Sequence, residues 1–279
     1  KQKRTRLLRE KVMNSKNKDY SAFDQPSIMQ FLFNPRPEMG ETSTAATYKE
    51  ILIPVGEGVI IGSRFYAVDK SAPVILFFHG NGEIVEDYDD LASFYGRMNV
   101  NFLPVDYRGY GKSTGRPSVS TMMRDSHEIF EYVTTFLKSE AYSGPLIVMG
   151  RSLGSASALE LATMYQNRID GLVIESGFAF ALPLLQLIGI DTTRLGITEE
   201  QGFSNFDKIK SFEKPTLIIH AEFDHIIPFS DGKYLFDNSP AKDKNLLMVR
   251  GANHNNIFAL GLQEYLQSIQ GLIGLLSRD

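Results

Sequence analysis

Positions 146–162 read as a short strand, a tight turn and a buried helix, and this succession restricts the chain more than any other stretch. The apolar run Leu146-Ile147-Val148-Met149 enters Gly150-Arg151-Ser152-Leu153-Gly154, and small, helix-compatible residues follow through 162. A serine at such a strand-to-helix turn takes up a strained backbone conformation with its hydroxyl standing above the sheet. Gly150 and Gly154 remove the Cβ atoms that would collide across the turn. The helix that follows aims free N–H groups and the positive end of its dipole at the serine, where an oxyanion would develop. A bare Gly-x-Ser-x-Gly is common by chance and is often only a turn between core elements. The strand before it and the helix after it favour Ser152 as a nucleophile.

A serine hydroxyl is a weak nucleophile at neutral pH, so it needs a base and an acid that orients the base. In the α/β-hydrolases, whose serine turn this one resembles, both lie C-terminal to the serine at the ends of strands, in the order Ser, Asp or Glu, His. Thr216-Leu217-Ile218-Ile219-His220 reads as a buried strand that runs into a loop carrying Asp224. Asn245-Leu246-Leu247-Met248-Val249 reads as another, followed by a loop carrying His254 and then a last apolar helix. Both loops lie on the carboxyl edge, where ligands bind in open α/β sheets. A capping aspartate and a surface histidine are the ordinary alternatives, but the two occur in the required order, each one loop past a strand. The rivals are weaker. His225 adjoins Asp224 and diverges from it in an extended loop. His127 lies in a helical pattern, and His220 ends an apolar strand as a hydrogen-bonded structural histidine. Glu175, after the strand 172–174, is the one serious competitor for the acid.

An oxyanion hole requires a second backbone donor besides the N–H of Leu153. The continuous apolar strand 74–78 ends in His79-Gly80-Asn81-Gly82, where two glycines free the backbone to turn its N–H groups toward a ligand. A helical stretch at 89–98 follows, and Asn81 is the expected donor through its main chain.

Four segments together make the chain resemble an α/β-hydrolase: Phe78-His79-Gly80-Asn81-Gly82, Val105-Asp106-Tyr107-Arg108-Gly109-Tyr110-Gly111-Lys112-Ser113, the Ser152 turn, and Asp224 with His254. Within that superfamily it is similar to the small-cap serine hydrolases that include lysophospholipase-like and depalmitoylating thioesterase enzymes. The resemblance spans most of positions 50–270. It implies a mostly parallel central sheet flanked by helices, a cofactor-independent acyl-enzyme mechanism and an acyl ester or thioester substrate; it fixes mechanism better than substrate. Two residues depart from the pattern. Ser155 replaces a common glycine, and Glu83 stands where a small residue is more usual, so that a carboxylate at the entrance would discourage anionic head groups.

Composition agrees with a folded enzyme: 279 residues, 43% hydrophobic and 22% charged, enough for one large core over 19–279. The absence of cysteine excludes disulfides, a thiol nucleophile and Cys-ligated zinc. No stretch reaches the roughly 18 to 20 apolar residues of a membrane span, which points to a cytoplasmic protein; the chain does not begin with methionine, so a removed leader stays open. Positions 1–18 hold eight Lys/Arg against one Glu, whereas the whole chain carries a net charge of −4. A solvated tail is the expectation there, with attraction to an anionic membrane surface as the alternative, at most about 1 kcal/mol per basic residue. An acidic body without a recognition motif speaks against nucleic acid. Gly111-Lys112-Ser113 is not a P-loop, because Asp106 stands where the first glycine is required.

Strand and helix signals alternate from position 74 to 175, as in a parallel sheet covered on both faces. Ahead of them, 48–54 and 59–67 read as paired strands around Gly56-Glu57-Gly58, and 19–47 as a lead-in packed on the body. The rhythm breaks at 176–212, an apolar then polar connection expected to form a small cap. Some of Phe178, Phe180, Leu184, Leu185 and Leu187 are expected to line an acyl pocket, the rest to pack on the body. Two other functions compete with ester or thioester hydrolysis: a serine peptidase of small peptides, which would need a charged group for a terminus, and a catalytically silent interaction module, which would have no need of Ser152, Asp224 and His254 in order.

Overall fold

The computed structural model describes residues 18–40 and 47–276. The basic segment 1–17 therefore lies outside the described residues. Eight strands form one sheet in the order β1-β2-β4-β3-β5-β6-β7-β8. They are β1 (Lys49–Val55), β2 (Val59–Phe65), β3 (Val74–Phe78), β4 (Asn101–Val105), β5 (Leu146–Arg151), β6 (Gly171–Glu175), β7 (Thr216–Ala221) and β8 (Lys244–Val249). β1 pairs with β2 and β2 with β4 antiparallel; β4 through β8 run parallel.

Burial explains the strand sequences. β3, β5, β6 and β7 are buried at every position, as strands covered on both faces must be, and three of them read as nearly unbroken apolar runs. β1, at the edge, alternates exposed and buried residues from Ile51 on, so one face meets water. Helices α1 (Pro26–Leu32), α3 (Val119–Ser139), α4 (Gly154–Met164) and α7 (Phe229–Asn238) bury side chains in a core that includes Phe23, Leu76, Phe130, Leu159 and Ile218. Helices α2 (Asp89–Arg97) and α8 (Ile257–Leu276) contribute to a second core with Ile75, Phe77, Ile147 and Ile219. The alternation of Ile75 and Phe77 with Leu76 and Phe78 between the cores shows the sheet dividing them.

α3 starts where Ser118 and Thr121 cap each other: Ser118 Oγ accepts the Thr121 N–H at 3.1 Å, and Thr121 Oγ1 accepts the Ser118 N–H at 2.8 Å. α4 is buried almost all round because it runs directly behind the Ser152 turn, and its small residues permit that approach. Between β6 and β7 the chain forms α5 (Ala181–Leu187), a 3-10 turn at Glu199–Gln201 and α6 (Asn205–Ile209).

Two of the five apolar residues named for that connection pack on the body. Phe178 packs edge-on against Phe203 with ring centroids 5.3 Å apart, and Leu185 is 1% exposed; both belong to the main core. Their apolar character is that of core residues, drawn under the connection to cover α4 and α7. Among the described residues, no helix is long and apolar enough to cross a membrane.

Candidate active site

Ser152 occupies the turn between β5 and α4 with φ at +50°, a left-handed conformation that costs energy for a residue with a side chain. The surroundings enforce it. The Ser152 N–H donates to the carbonyl of Glu175 at 2.8 Å. A Cβ on Gly150 would lie 2.3 Å from the carbonyl oxygen of Gly154, and one on Gly154 would lie 2.1 Å from that of Phe78. Both contacts are with main chain, which cannot move aside, so neither glycine tolerates a side chain.

The loops after β7 and β8 bring the other two residues to the same point. His254 Nε2 lies 3.0 Å from Ser152 Oγ, and its Nδ1 lies 2.7 Å from Asp224 Oδ2. The second oxygen of Asp224 accepts the N–H groups of Ile226 and Ile227 at 3.0 and 2.8 Å. That turn fixes the carboxylate and leaves Oδ2 for the imidazole. Burial alone would raise the Asp224 carboxyl; the contact with His254 and these two N–H bonds outweigh it and hold it below its ordinary value. An ionised Asp224 makes Nδ1 the protonated nitrogen and leaves Nε2 free to accept from the serine. Ser152, Asp224 and His254 are 9, 8 and 5% exposed, so the chemistry would occur in a recess with little competing water.

Glu175 is not at the imidazole. Its carboxylate takes Arg151 Nη1 at 3.0 Å and the Tyr265 hydroxyl at 2.9 Å. Burial pushes its carboxyl up against the pull of Arg151. His220 Nε2 donates to the carbonyl of Ile227 at 2.8 Å and supports the Asp224 turn from behind; burial lowers its pKa. His127 is partly buried, between Glu160 and Tyr165 at 3.1 Å each. His225 is exposed.

Leu153 caps α4, and Asn81 sits on the loop after β3. Among the described residues, neither main-chain N–H is given to a protein acceptor. The Asn81 side chain, by contrast, is engaged at both ends: Oδ1 accepts from Asn34 N–H at 2.7 Å and from the Tyr110 hydroxyl at 2.9 Å, while Nδ2 donates to the carbonyl of Phe31 at 3.1 Å. The lead-in segment thus grips the loop that carries the candidate oxyanion donor.

Glu83, expected as a carboxylate at the entrance, is engaged by groups of the chain itself. Its carboxylate accepts the Gly80 N–H at 2.6 Å, the Tyr88 hydroxyl and Arg151 Nε at 2.8 Å. Burial would push the carboxyl up, but Arg151 and these donors hold it low. Its charge is met by the Arg151 guanidinium, and its side chain is 25% exposed. Sequence reasoning also missed Arg151, which reaches the carbonyl of His254 at 3.0 Å as well. No motif or period in the sequence links Arg151 to its acceptors at 83, 175 and 254.

Comparison with known proteins follows the same lines. A family model described as "Serine aminopeptidase, S33" matches residues 69–189, which includes Ser152 and stops short of Asp224 and His254. The chain is 31% identical over 205 residues to alpha/beta hydrolase domain-containing protein 17B of Xenopus laevis, and 31% identical over 207 residues to the protein of that name in Homo sapiens. In both cases the match covers 71% of this chain and 65% of the relative, so the chain spans less than two thirds of those curated relatives. An esterase of Pyrococcus furiosus superposes with a TM-score of 0.70 at 17% identity, covering 87% of this chain and 98% of that one. A soluble variant of monoglyceride lipase from Saccharomyces cerevisiae, in complex with a substrate analog, superposes with a TM-score of 0.66 at 17% identity, covering 86% and 97%. With an eight-stranded, mostly parallel sheet, a serine turn after β5 and relatives of this kind, the chain is a member of the α/β-hydrolase superfamily.

Proposed function

We propose that the chain is a serine hydrolase that cleaves carboxylic esters or thioesters with an apolar acyl group through an acyl-enzyme. The observation that carries this reading is the position of His254, within hydrogen-bond reach of Ser152 Oγ and Asp224 Oδ2 at once. Ser152 Oγ attacks the acyl carbonyl as its proton passes to His254 Nε2. Asp224 holds the ring and stabilises the imidazolium. The N–H groups of Leu153 and Asn81 receive the oxyanion, and each such donor is worth about 10²–10³ in rate. The intermediate collapses, the C–O or C–S bond breaks, and the leaving alcohol or thiol takes the proton from the imidazolium. A water then repeats the sequence on the acyl-serine, releasing the carboxylic acid and restoring Ser152.

A peptidase acting on free amino termini would need an anionic group for the substrate ammonium. Glu83, the carboxylate of the oxyanion loop, is engaged by Arg151, Tyr88 and Gly80, which favours acyl esters over such peptides. The naming of relatives as an esterase and a monoglyceride lipase supports the same direction.

The test is labelling with a fluorophosphonate probe, followed by p-nitrophenyl esters and an acyl thioester of increasing chain length. Labelling and turnover should both vanish in Ser152→Ala while the fold persists, because the lost hydroxyl is small. Full turnover in the folded variant would sink the mechanism.

A further inference from the structure

Arg151, between Gly150 and Ser152, is buried and donates to three separate segments of the chain. Nε meets Glu83 on the oxyanion loop at 2.8 Å, Nη1 meets Glu175 at the end of β6 at 3.0 Å, and Nη2 meets the backbone oxygen of His254 at 3.0 Å. Two of these acceptors pass the restraint on. Glu83 holds the Gly80 N–H, one residue before Asn81. Glu175 holds the Ser152 N–H through its own carbonyl. A single planar fork is thereby connected to every loop that supplies a reacting group except the one bearing Asp224.

Stability alone is a poor reason for this arrangement. A guanidinium and carboxylates withdrawn from water gain little over well-packed hydrocarbon of similar volume. Binding of a substrate anion is equally disfavoured, since the Nε, Nη1 and Nη2 groups each already face a protein acceptor. What a rigid, directional cation supplies that hydrocarbon does not is registry between segments remote in sequence.

We infer that Arg151 is the positioning residue of this site, keeping the loop of His254 and the loop of Asn81 in register with the turn of Ser152. Its catalytic consequence rests on the serine-hydrolase reading above; the bracing itself does not. Lysine cannot replace it, because one ammonium on a flexible stem cannot address three acceptors along fixed directions.

The full chain is compared with Arg151→Met, Arg151→Lys and Glu83→Gln by amide hydrogen exchange, thermal melting, and kcat and KM on a neutral p-nitrophenyl ester, with active sites titrated by the fluorophosphonate. In Arg151→Met, segments 79–84 and 250–256 should both exchange faster while the β1–β2 hairpin is unchanged. Turnover per titrated site should fall by about 100-fold, the scale of a 1 Å misplacement, with KM within about threefold, since ground-state binding is untouched. Arg151→Lys should recover part of the loss. Glu83→Gln should loosen 79–84 and leave 250–256 as it was. Unchanged exchange in both segments of Arg151→Met would overturn the inference. So would a lower melting temperature with turnover per site intact, or a KM increase well beyond threefold with kcat per site unchanged. If Arg151→Met does not fold, wild-type exchange of both segments in Arg151→Lys and Glu83→Gln would overturn it equally. A wild-type chain that resists the probe would remove the hydrolase reading alone, because exchange reports the bracing without turnover.

Discussion

The backbone oxygen of Glu175 accepts the N–H of Ser152 at 2.8 Å, so the residue that competes in sequence for the imidazole stands behind the serine instead. The left-handed turn at Ser152 points that N–H back toward β6, and the parallel pairing of Arg151 with Glu175 sets the carbonyl there to receive it. The two carboxylates consequently differ in what their amides would do. Asp224→Asn leaves His254 in the wrong tautomer and should lower kcat by about 10⁴-fold. Glu175→Gln keeps the backbone acceptor and an oxygen for Arg151, and its effect on kcat should be far smaller. Steady-state kinetics on the two folded variants decide the matter; a larger loss in Glu175→Gln would move the acid to β6.

Asn81 is expected to act through its main chain while its side chain holds that main chain in place. Asn81→Ala keeps the N–H but loses the contacts with Phe31, Asn34 and Tyr110. Its rate of labelling by the probe should drop, by no more than the roughly 10²–10³ of a whole oxyanion donor. Tyr110→Phe removes one of those contacts and should cost roughly fivefold, the rate equivalent of about 1 kcal/mol. Equal labelling rates in all three proteins would count against Asn81 as the donor.

Acid should destabilise the chain partly through Glu160, on the helix behind Ser152. Its carboxylate pairs with Lys208 at 2.6 Å and with His127 at 3.1 Å. Burial would raise the carboxyl, but these two partners hold it well below its ordinary value. A depressed folded-state pKa stabilises the fold above the unfolded-state value, near 4.3, and that contribution is lost as pH falls below it. Glu160→Gln leaves the Lys208 ammonium buried without its anion, which typically costs 3–5 kcal/mol, roughly that here. Urea melts at pH 7 and at pH 3 should show a large gap between the two proteins at neutral pH that narrows in acid. A constant gap would show that packing, not charge, makes the difference.

The connection carrying α5 offers a sharp contrast between neighbours. Leu185 is 1% exposed and Leu187 is 60% exposed. Leu185→Ala should destabilise the fold by about 2–5 kcal/mol, and Leu187→Ser by no more than about 0.5 kcal/mol. If acyl chains rest against α5, Leu187→Ser should lower kcat/KM on longer esters more than on acetate, since each buried methylene contributes up to about 0.8 kcal/mol. Parallel chain-length series for the variant and wild type would place the acyl chain elsewhere.

What could be read from sequence was whatever a strand edge determines. Parallel strands announce themselves as apolar runs, and residues one loop beyond their carboxyl ends must lie on one rim, which is how Ser152, Asp224 and His254 come together from positions as distant as 152 and 254. Arg151 was illegible for the opposite reason. Its acceptors at 83, 175 and 254 share no period and no motif, and only the closed fold makes them neighbours. The run 177–190 was ambiguous because a core segment and a pocket wall have the same composition. Burial separates them, and burial of Phe178 depends on Phe203, which the sequence does not pair with it.

The grip of the lead-in on the loop of Asn81 also bears on where this chain can be cut. Sheet logic puts a tidy boundary just before β1, since every strand among the described residues lies beyond it. A protein trimmed there would keep Ser152, Asp224, His254 and the whole sheet. It would lose Phe31 and Asn34 from Asn81, the Arg36 guanidinium from the carbonyl of Gly82, and Glu38 from the buried Arg64, together with the core side chains Phe23, Ile28, Leu32 and Phe33. The smallest unit that keeps the Asn81 loop steady therefore starts well upstream of the first strand.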